Sequence, residues 1–158
     1  MNYYTMPIKL GEITKGKHLS GQVDIRESIH QNINLILRTF TLSYRFDPSF
    51  GCVMNKYQAA TPPQNIPERM WREKMREDIQ NNLKDMLQRY ETRINVKDVF
   101  IDMRKPSRGD KAIVNVRVQI IGNMTLGRRE KFNYPDSEVS EEAMEVLPLM
   151  IPVGKLNS

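Results

Sequence analysis

The chain has 158 residues, of which 39% are hydrophobic and 27% are charged, and its formal net charge is +5. This length suffices for one domain with a modest core. No apolar run approaches the roughly 20 residues of a membrane helix, and residues 1–10 lack the basic and then apolar pattern of a secretory leader. We therefore expect a cytoplasmic protein without direct membrane insertion.

The residues that usually carry metal or nucleophilic chemistry are scarce. Cys52 is the single cysteine, so the chain can form neither an internal disulfide nor a cysteine cluster for zinc. The two histidines, His18 and His30, have no ligand pattern near them, and a lone histidine near a helix start is usually a solvated surface residue. Cys52 follows a turn, but a free cysteine is more often a small core residue than a nucleophile. We expect no metal site and no cofactor.

The basic charge, with a pI of about 9.4, permits nucleic-acid binding, but its distribution argues against that function. Basic and acidic residues alternate over 68–85, as on a solvated helix face. The denser basic stretch over 104–108 is typical of a hairpin tip. No RNP-like strand or helix-turn-helix pattern accompanies it, so we expect no nucleic-acid partner.

Two helices are predicted in the first part of the chain, after an arm over residues 1–23. The first begins near Asp24, because Asp24 and Glu27 have the spacing of a capping box. The second begins near Pro67, a residue suited to a first helical turn. The predicted apolar stripe of the first helix is Ile29, Ile33, Ile36, Leu37 and Phe40, and that of the second is Trp71, Met75, Ile79, Leu83, Met86, Leu87 and Tyr90.

The second part of the chain has a period of two. Apolar residues alternate over 99–103 and 114–120, and turn residues over 106–110 separate the two runs, which predicts an antiparallel hairpin. Residues 128–134 are a candidate third strand. Ser137 or Ser140 is a candidate cap for a short helix through about Leu147. The apolar tail beyond it is expected to dock on this domain or on another chain.

The predicted fold is therefore α+β, with two main helices packed on a small antiparallel sheet of two or three strands. We expect a single domain over residues 24–134, an N-terminal arm over 1–23 and a C-terminal tail over 135–158. The chain has no G-x-S-x-G, G-x-x-x-x-G-K-[ST] or G-x-G-x-x-G motif. We expect no catalytic residues, although paired carboxylates for glycoside hydrolysis would be spaced in three dimensions and leave no sequence motif.

Two stretches of the sequence resemble one known family. Residues 27–37 and 44–52 resemble the S-I-x-Q-N-[IL]…L-L…P-x-[FY]-G opening of the GPW family of baseplate wedge proteins. Residues 79–96 resemble the family's I…I…[FWY]-E-P-R-[IL]-x-V signature, with Thr92 in place of the family's proline. The turn Phe50-Gly51-Cys52 is most similar to the TssE-like baseplate subunit of Bacteroidetes-type type VI secretion systems.

This resemblance implies a structural, non-enzymatic subunit of a contractile injection apparatus that forms a hetero-oligomer with other baseplate wedge proteins and with sheath subunits. It implies that Tyr90, Glu91 and Arg93 bind the helical core bundle of the wedge through charge-assisted hydrogen bonds. From the residues alone, an intramolecular cap in which Arg93 interacts with the helix C-terminus is the alternative.

The resemblance also implies that the domain offers a strand to the sheath by β-augmentation and so templates sheath assembly. The candidate strand carries Val114, Val116 and Val118, and the sequence leaves open whether the free edge belongs to residues 99–103 or to residues 111–121. Three other functions remain as alternatives: a regulatory module that binds a signalling adaptor, a cell-wall glycosidase, and a nucleic-acid binder.

Overall fold

The computed structural model describes residues 3–4, 22–58, 60, 63–104, 113–125, 130–136 and 145–150. Two helices pack on one face of a four-stranded antiparallel sheet, and a two-stranded ribbon precedes the first helix. The predicted α+β fold is confirmed. The elements are β1 (Tyr3–Tyr4), β2 (Gln22–Val23), α1 (Ile25–Arg38), a 3₁₀ helix (Val53–Tyr57), α2 (Glu68–Tyr90), β3 (Ile94–Arg104), β4 (Ile113–Met124), β5 (Lys131–Tyr134) and β6 (Glu145–Met150).

Helix α1 begins where the sequence predicts. The Asp24 carboxylate accepts a hydrogen bond from the Glu27 amide at 2.7 Å, which caps the first turn. The helix ends at Arg38, because Thr39 adopts an extended conformation. Phe40 therefore does not continue the buried stripe and is 43% exposed, contrary to the prediction. The buried residues of the helix are Ile29, Ile33, Ile36 and Leu37.

Helix α2 follows Pro67 and buries six of the seven predicted stripe residues, namely Trp71, Met75, Ile79, Leu83, Met86 and Leu87. The seventh, Tyr90, is only half-buried at the helix end. Side chains four residues apart form ion pairs on the outer face, among them Arg89 with Asp85 at 3.0 Å. The helix is thus held to the sheet by one face and solvated on the other.

Strand β4 is the centre of the sheet. One edge pairs antiparallel with β3, from Ile94 opposite Met124 to Arg104 opposite Asn115. The other edge pairs with β6 along residues 113–118 and with β5 along residues 120–123. The predicted hairpin and third strand are confirmed, whereas the turn over 106–110 lies outside the described residues.

The C-terminal segment differs from the prediction. Residues 145–147 belong to β6, so a helix through Leu147 is wrong; Ser137 and Ser140 lie outside the described residues. The Leu147 side chain is buried in the core, so this part of the tail docks on its own domain. The fourth strand escaped prediction because Pro148 and an irregular apolar run hide its period of two.

The apolar core lies between the two helices and the inner face of the sheet. Cys52 is fully buried within it, as predicted, and burial raises the pKa of its thiol to about 11. The thiol is therefore protonated and inert at neutral pH. Among the described residues, no group of His, Cys, Asp and Glu side chains could hold a metal ion. None of the described helices is long and apolar enough to cross a membrane.

His30 is not the solvated surface residue that the sequence predicts. Its side chain is 17% exposed, and its ring centroid lies 5.0 Å from that of Phe132 and 5.2 Å from that of Tyr134. The Nε2 atom is 3.2 Å from a carboxylate oxygen of Asp136, which Arg26 also contacts. Burial, partly opposed by Asp136, lowers the pKa of His30 below its usual value.

This environment predicts a pH-dependent stability. Because the unfolded state binds a proton at His30 more readily than the folded state does, His30 contributes its full stability only above about pH 6.5, its unfolded pKa. We expect the free energy of unfolding, measured with urea, to fall from about pH 7.5 to about pH 5. The variant His30→Phe keeps an aromatic ring without the titration and should show a smaller fall. Equal falls in the two proteins would contradict this prediction.

A candidate partner-binding site at the end of the second helix

The turn between α2 and β3 contains a buried carboxylate that pairs with a guanidinium group. Glu91 ends α2, donates its amide to Leu87, and is only 1% exposed. Arg93 grips its carboxylate with a fork: Nε donates to Oε1 at 2.7 Å and Nη2 donates to Oε2 at 2.5 Å. The hydrogen bonds to Glu91 raise the pKa of Arg93. Thr92, which stands where the related family has proline, is exposed at the tip of this turn.

Two polar residues of α1 complete the network. Asn32 donates from Nδ2 to the Glu91 carboxylate at 2.9 Å and to the Tyr90 carbonyl at 3.1 Å. Ser28 accepts a hydrogen bond from Nη1 of Arg93 at 3.0 Å. Ser28 and Asn32 are four residues apart, so they share one helix face. They also belong to the first sequence motif and contact the second, so the two motifs form one hydrogen-bonded unit.

The N-terminal strand approaches the same unit. The guanidinium carbon of Arg93 lies 5.3 Å from the centre of the Tyr3 ring. Strand β1, which contains Tyr3, is held there by pairing with β2 immediately before α1. The Arg93 side chain is left 21% exposed, so it is the member of the pair that reaches the surface.

Tyr90 connects this network to the loop that follows α1. Its hydroxyl donates to the Asp47 carboxylate, which also accepts from the Ser49 hydroxyl at 2.6 Å and the Ser49 amide at 3.1 Å. These hydrogen bonds, from Ser49 first and then Tyr90, lower the pKa of Asp47. The Tyr90 ring packs edge-on against Phe50 with their centroids 5.0 Å apart. Tyr90, Glu91 and Arg93 therefore lie together at the end of α2, and each has intramolecular partners.

Gly51 permits the loop to close. Its φ is +109°, and a Cβ added there would lie 2.5 Å from the carbonyl oxygen of Thr39. The next residue, Cys52, donates its amide to that carbonyl at 2.7 Å and pairs with Phe40 in an isolated bridge. The glycine in the Phe50-Gly51-Cys52 turn is thus required by the backbone.

The loop, α1 and the end of α2 enclose a groove, which we term the loop–helix groove. It is lined by Asn32, Leu35, Thr39, Tyr44, Asp47, Phe50 and Tyr90. Sequence reasoning did not identify this groove, nor the roles of Ser28 and Asn32. The available signal was the four-residue spacing of Ser28 and Asn32 beside an apolar stripe.

The structure gives the predicted sheath-binding strand a different setting. Val114, Val116 and Val118 are buried in the core. Strand β6 pairs with β4 at all three positions, and β3 pairs with it at Val116 and Val118. The sequence left open which of the two strands has the free edge. At Val116 and Val118 β4 has none, because β3 and β6 already use its main-chain groups. Strand β3 does have an outer edge that no described strand pairs with.

Side chains protect part of that outer edge. At Val99, the amide donates to the Asp98 carboxylate at 2.8 Å and the carbonyl accepts from the Gln80 amide at 2.7 Å. Since main-chain groups alternate in direction along an antiparallel strand, those of Ile101 and Met103 also face outward. A groove between α2 and β3 borders this stretch and is lined by Glu68, Arg69, Arg72, Glu73, Arg76, Asp102 and Met103.

Comparisons with known proteins agree with the sequence resemblance. The profile of the family described as baseplate wedge protein gp25 matches residues 23–125, more than half of the chain. No curated protein sequence matches the chain significantly.

Among solved structures, a protein described as a tail lysozyme from Geobacter sulfurreducens is 19% identical, with a TM-score of 0.51 over 83% of this chain and 95% of that one. A chain of the anti-feeding prophage baseplate is 17% identical, with a TM-score of 0.51 over 81% of this chain and 88% of that one. A chain of a type VI secretion system baseplate complex is 18% identical, with a TM-score of 0.44 over 80% and 93%. The first two similarities establish the shared fold.

The buried pair predicts an asymmetric loss of stability. In Arg93→Ala the Glu91 carboxylate stays buried without its cation, which costs about 3–5 kcal/mol. In Glu91→Ala the guanidinium can turn towards water, and we expect a smaller loss of about 1–3 kcal/mol. The double variant should lose less than the sum of the two. Urea unfolding of all four proteins measures these values, and additive losses of equal size would show that the pair contributes no coupling.

Proposed function

This chain belongs to the baseplate wedge protein gp25 family, and we propose that it is a structural subunit of the baseplate of a contractile injection apparatus. In this role it links wedge proteins on one side to the sheath on the other and templates sheath assembly. The observation that carries the proposal is the single hydrogen-bonded unit formed by Ser28 and Asn32 with Glu91 and Arg93. It contains residues from both motifs through which the sequence resembles the family.

On the wedge side, we propose that Tyr90, Glu91 and Arg93 define the contact with the core of the wedge. Glu91 is buried, and both of its carboxylate oxygens already accept hydrogen bonds within the chain. Its role is therefore to hold Arg93 in one orientation. Arg93 and Tyr90 are the members with exposed surface. A guanidinium group already fixed by a fork loses little side-chain entropy when it binds a partner.

On the sheath side, the proposal is β-augmentation along the outer edge of β3 between Ile101 and Arg104. The buried Val114, Val116 and Val118 support this contact from within, since they anchor β4 and thereby hold β3 in place. The capped main chain at Val99 would stop an added strand at that point. The charged groove beside Met103 leaves room for it.

The proposal assigns no catalytic step to the chain. Glu91 lies 1% exposed in a fork with Arg93, so it cannot deliver a proton to a substrate. A turbidity assay on peptidoglycan tests this point, and clearing above the blank would restore the glycosidase as a function.

Affinity purification of the tagged full-length chain from its host tests the baseplate role. We expect the wild type to recover wedge and sheath subunits and Glu91→Ala/Arg93→Ala to lose the wedge subunits. The matched control is Asp85→Ala/Arg89→Ala, which removes an exposed ion pair from the same helix. Circular dichroism checks that each variant is folded. Recovery of signalling adaptors, or of neither baseplate component, by the wild type would overturn the proposal.

A second experiment tests the sheath edge. Proline is tolerated where an edge strand directs its amide outward, and it removes the donor that an added strand needs. We therefore expect Met103→Pro to fold and to retain the wedge subunits while losing the sheath subunits. Met103→Ala is the control, because it removes the same side chain and keeps the amide. Equal sheath recovery by both variants would exclude augmentation at this edge.

A further inference from the structure

Apolar side chains are concentrated on the loop that follows α1. Leu42 is 81% exposed and Phe46 is 87% exposed, and Phe40 and Tyr44 at the alternate positions are exposed as well. Leu35 on α1 continues this surface into the loop–helix groove. Single exposed apolar residues are ordinary, but several on one loop beside a groove are typical of a binding surface.

The loop is held in this conformation by the chain itself. Leu42 has a φ of 69°, which costs a leucine about 1 kcal/mol or more. Its amide donates to the Pro48 carbonyl at 2.9 Å, and Tyr44 packs edge-on against Phe46 and Phe50. An exposed leucine in a strained conformation adds nothing to the stability of the isolated fold. A partner chain that covers the Leu42 side chain would offset this cost by burying its apolar surface.

The main chain of the loop favours a helix over a strand as the occupant. The amides of Thr39, Thr41, Leu42 and Ser43 all donate to carbonyls within this chain. An added strand would find these donors already used, whereas an α-helix satisfies its own main chain and docks through side chains. The groove wall formed by the second half of α1, from Asn32 to Arg38, offers about two helical turns for such packing.

The electrostatics of the groove favour a cation on that helix. Asp47 lines the groove, and its hydrogen bonds to Ser49 and Tyr90 keep the carboxylate anionic. These partners carry no positive charge. The C-terminal ends of α1 and α2 lie beside the groove, which Thr39 and Tyr90 line, and helix C-termini add partial negative charge.

We infer that the loop–helix groove receives an amphipathic α-helix from another baseplate subunit. The apolar face of that helix packs on Leu35, Tyr44 and Phe50 in the groove and on the exposed Leu42 and Phe46 of the adjoining loop. A lysine or arginine beside that face lies opposite Asp47. This inference rests on the proposed function and makes the groove, in addition to Arg93, the contact with the wedge. Asn32 joins the two, because it lines the groove and donates to Glu91 at 2.9 Å.

The test uses substitutions on the exposed surface. In the tagged full-length chain, Leu42→Ser/Phe46→Ser should leave the melting temperature unchanged and reduce recovery of wedge subunits by about tenfold or more. The control Met70→Ser/Phe100→Ser removes two exposed apolar side chains elsewhere and should recover wild-type amounts. If the wild type recovers wedge subunits and Leu42→Ser/Phe46→Ser recovers them equally, the groove inference fails and the baseplate role stands. If the wild type recovers none, both fail.

Crosslinking identifies the occupant. With the photoreactive p-benzoylphenylalanine at position 46, we expect mass spectrometry to find a crosslinked peptide from a different baseplate subunit. That peptide should have apolar residues three and four apart and a neighbouring lysine or arginine. A crosslink to a second copy of this chain, or to a sheath subunit, would overturn the inference.

Discussion

The hydrogen-bonded fork between Glu91 and Arg93 is the interaction on which the rest of the arrangement depends. A carboxylate this deeply buried is tolerated only when every oxygen is paired. Arg93 and Asn32 meet that requirement, and in doing so they fix α1, the end of α2 and the start of β3 relative to one another. The corner of the domain is therefore positioned by polar groups, while the apolar core supplies most of the stability.

This arrangement gives different roles to neighbouring residues of one short motif. Glu91 positions other groups and has no exposed surface, whereas Arg93 and Tyr90 reach the boundary with solvent. The Tyr90 hydroxyl donates to Asp47, and this hydrogen bond attaches the loop after α1 to the same network. The loop–helix groove is thus lined by two members of the network, Asn32 and Tyr90, but the buried Glu91 carboxylate is not part of its lining. A surface of this kind can bind a partner without the cost of desolvating an ion pair again.

The elements that the sequence predicted well are those whose side chains repeat with a regular period. The stripes of α1 and α2 and the alternation in β3 and β4 follow directly from which faces are buried. The prediction that Phe40 is buried was wrong, because the apolar pattern continues in the sequence beyond Thr39, where the helix has already ended. The prediction that His30 is solvated was wrong, because the rings that cover it, Phe132 and Tyr134, lie about a hundred residues away in sequence. The groove could not be predicted, since it depends on Gly51 folding the loop back onto α1.

One edge of β4 is paired with both β5 and β6, and this has a consequence for the protein during its synthesis. Strand β6 is synthesised after all other described elements, and it covers β4 along residues 113–118. On the ribosome, the hairpin of β3 and β4 therefore emerges with one edge of its central strand unpaired. Such an edge is a template for pairing with other chains until β6 covers it. Synthesis of β6 is thus the step that protects the nascent domain from premature association.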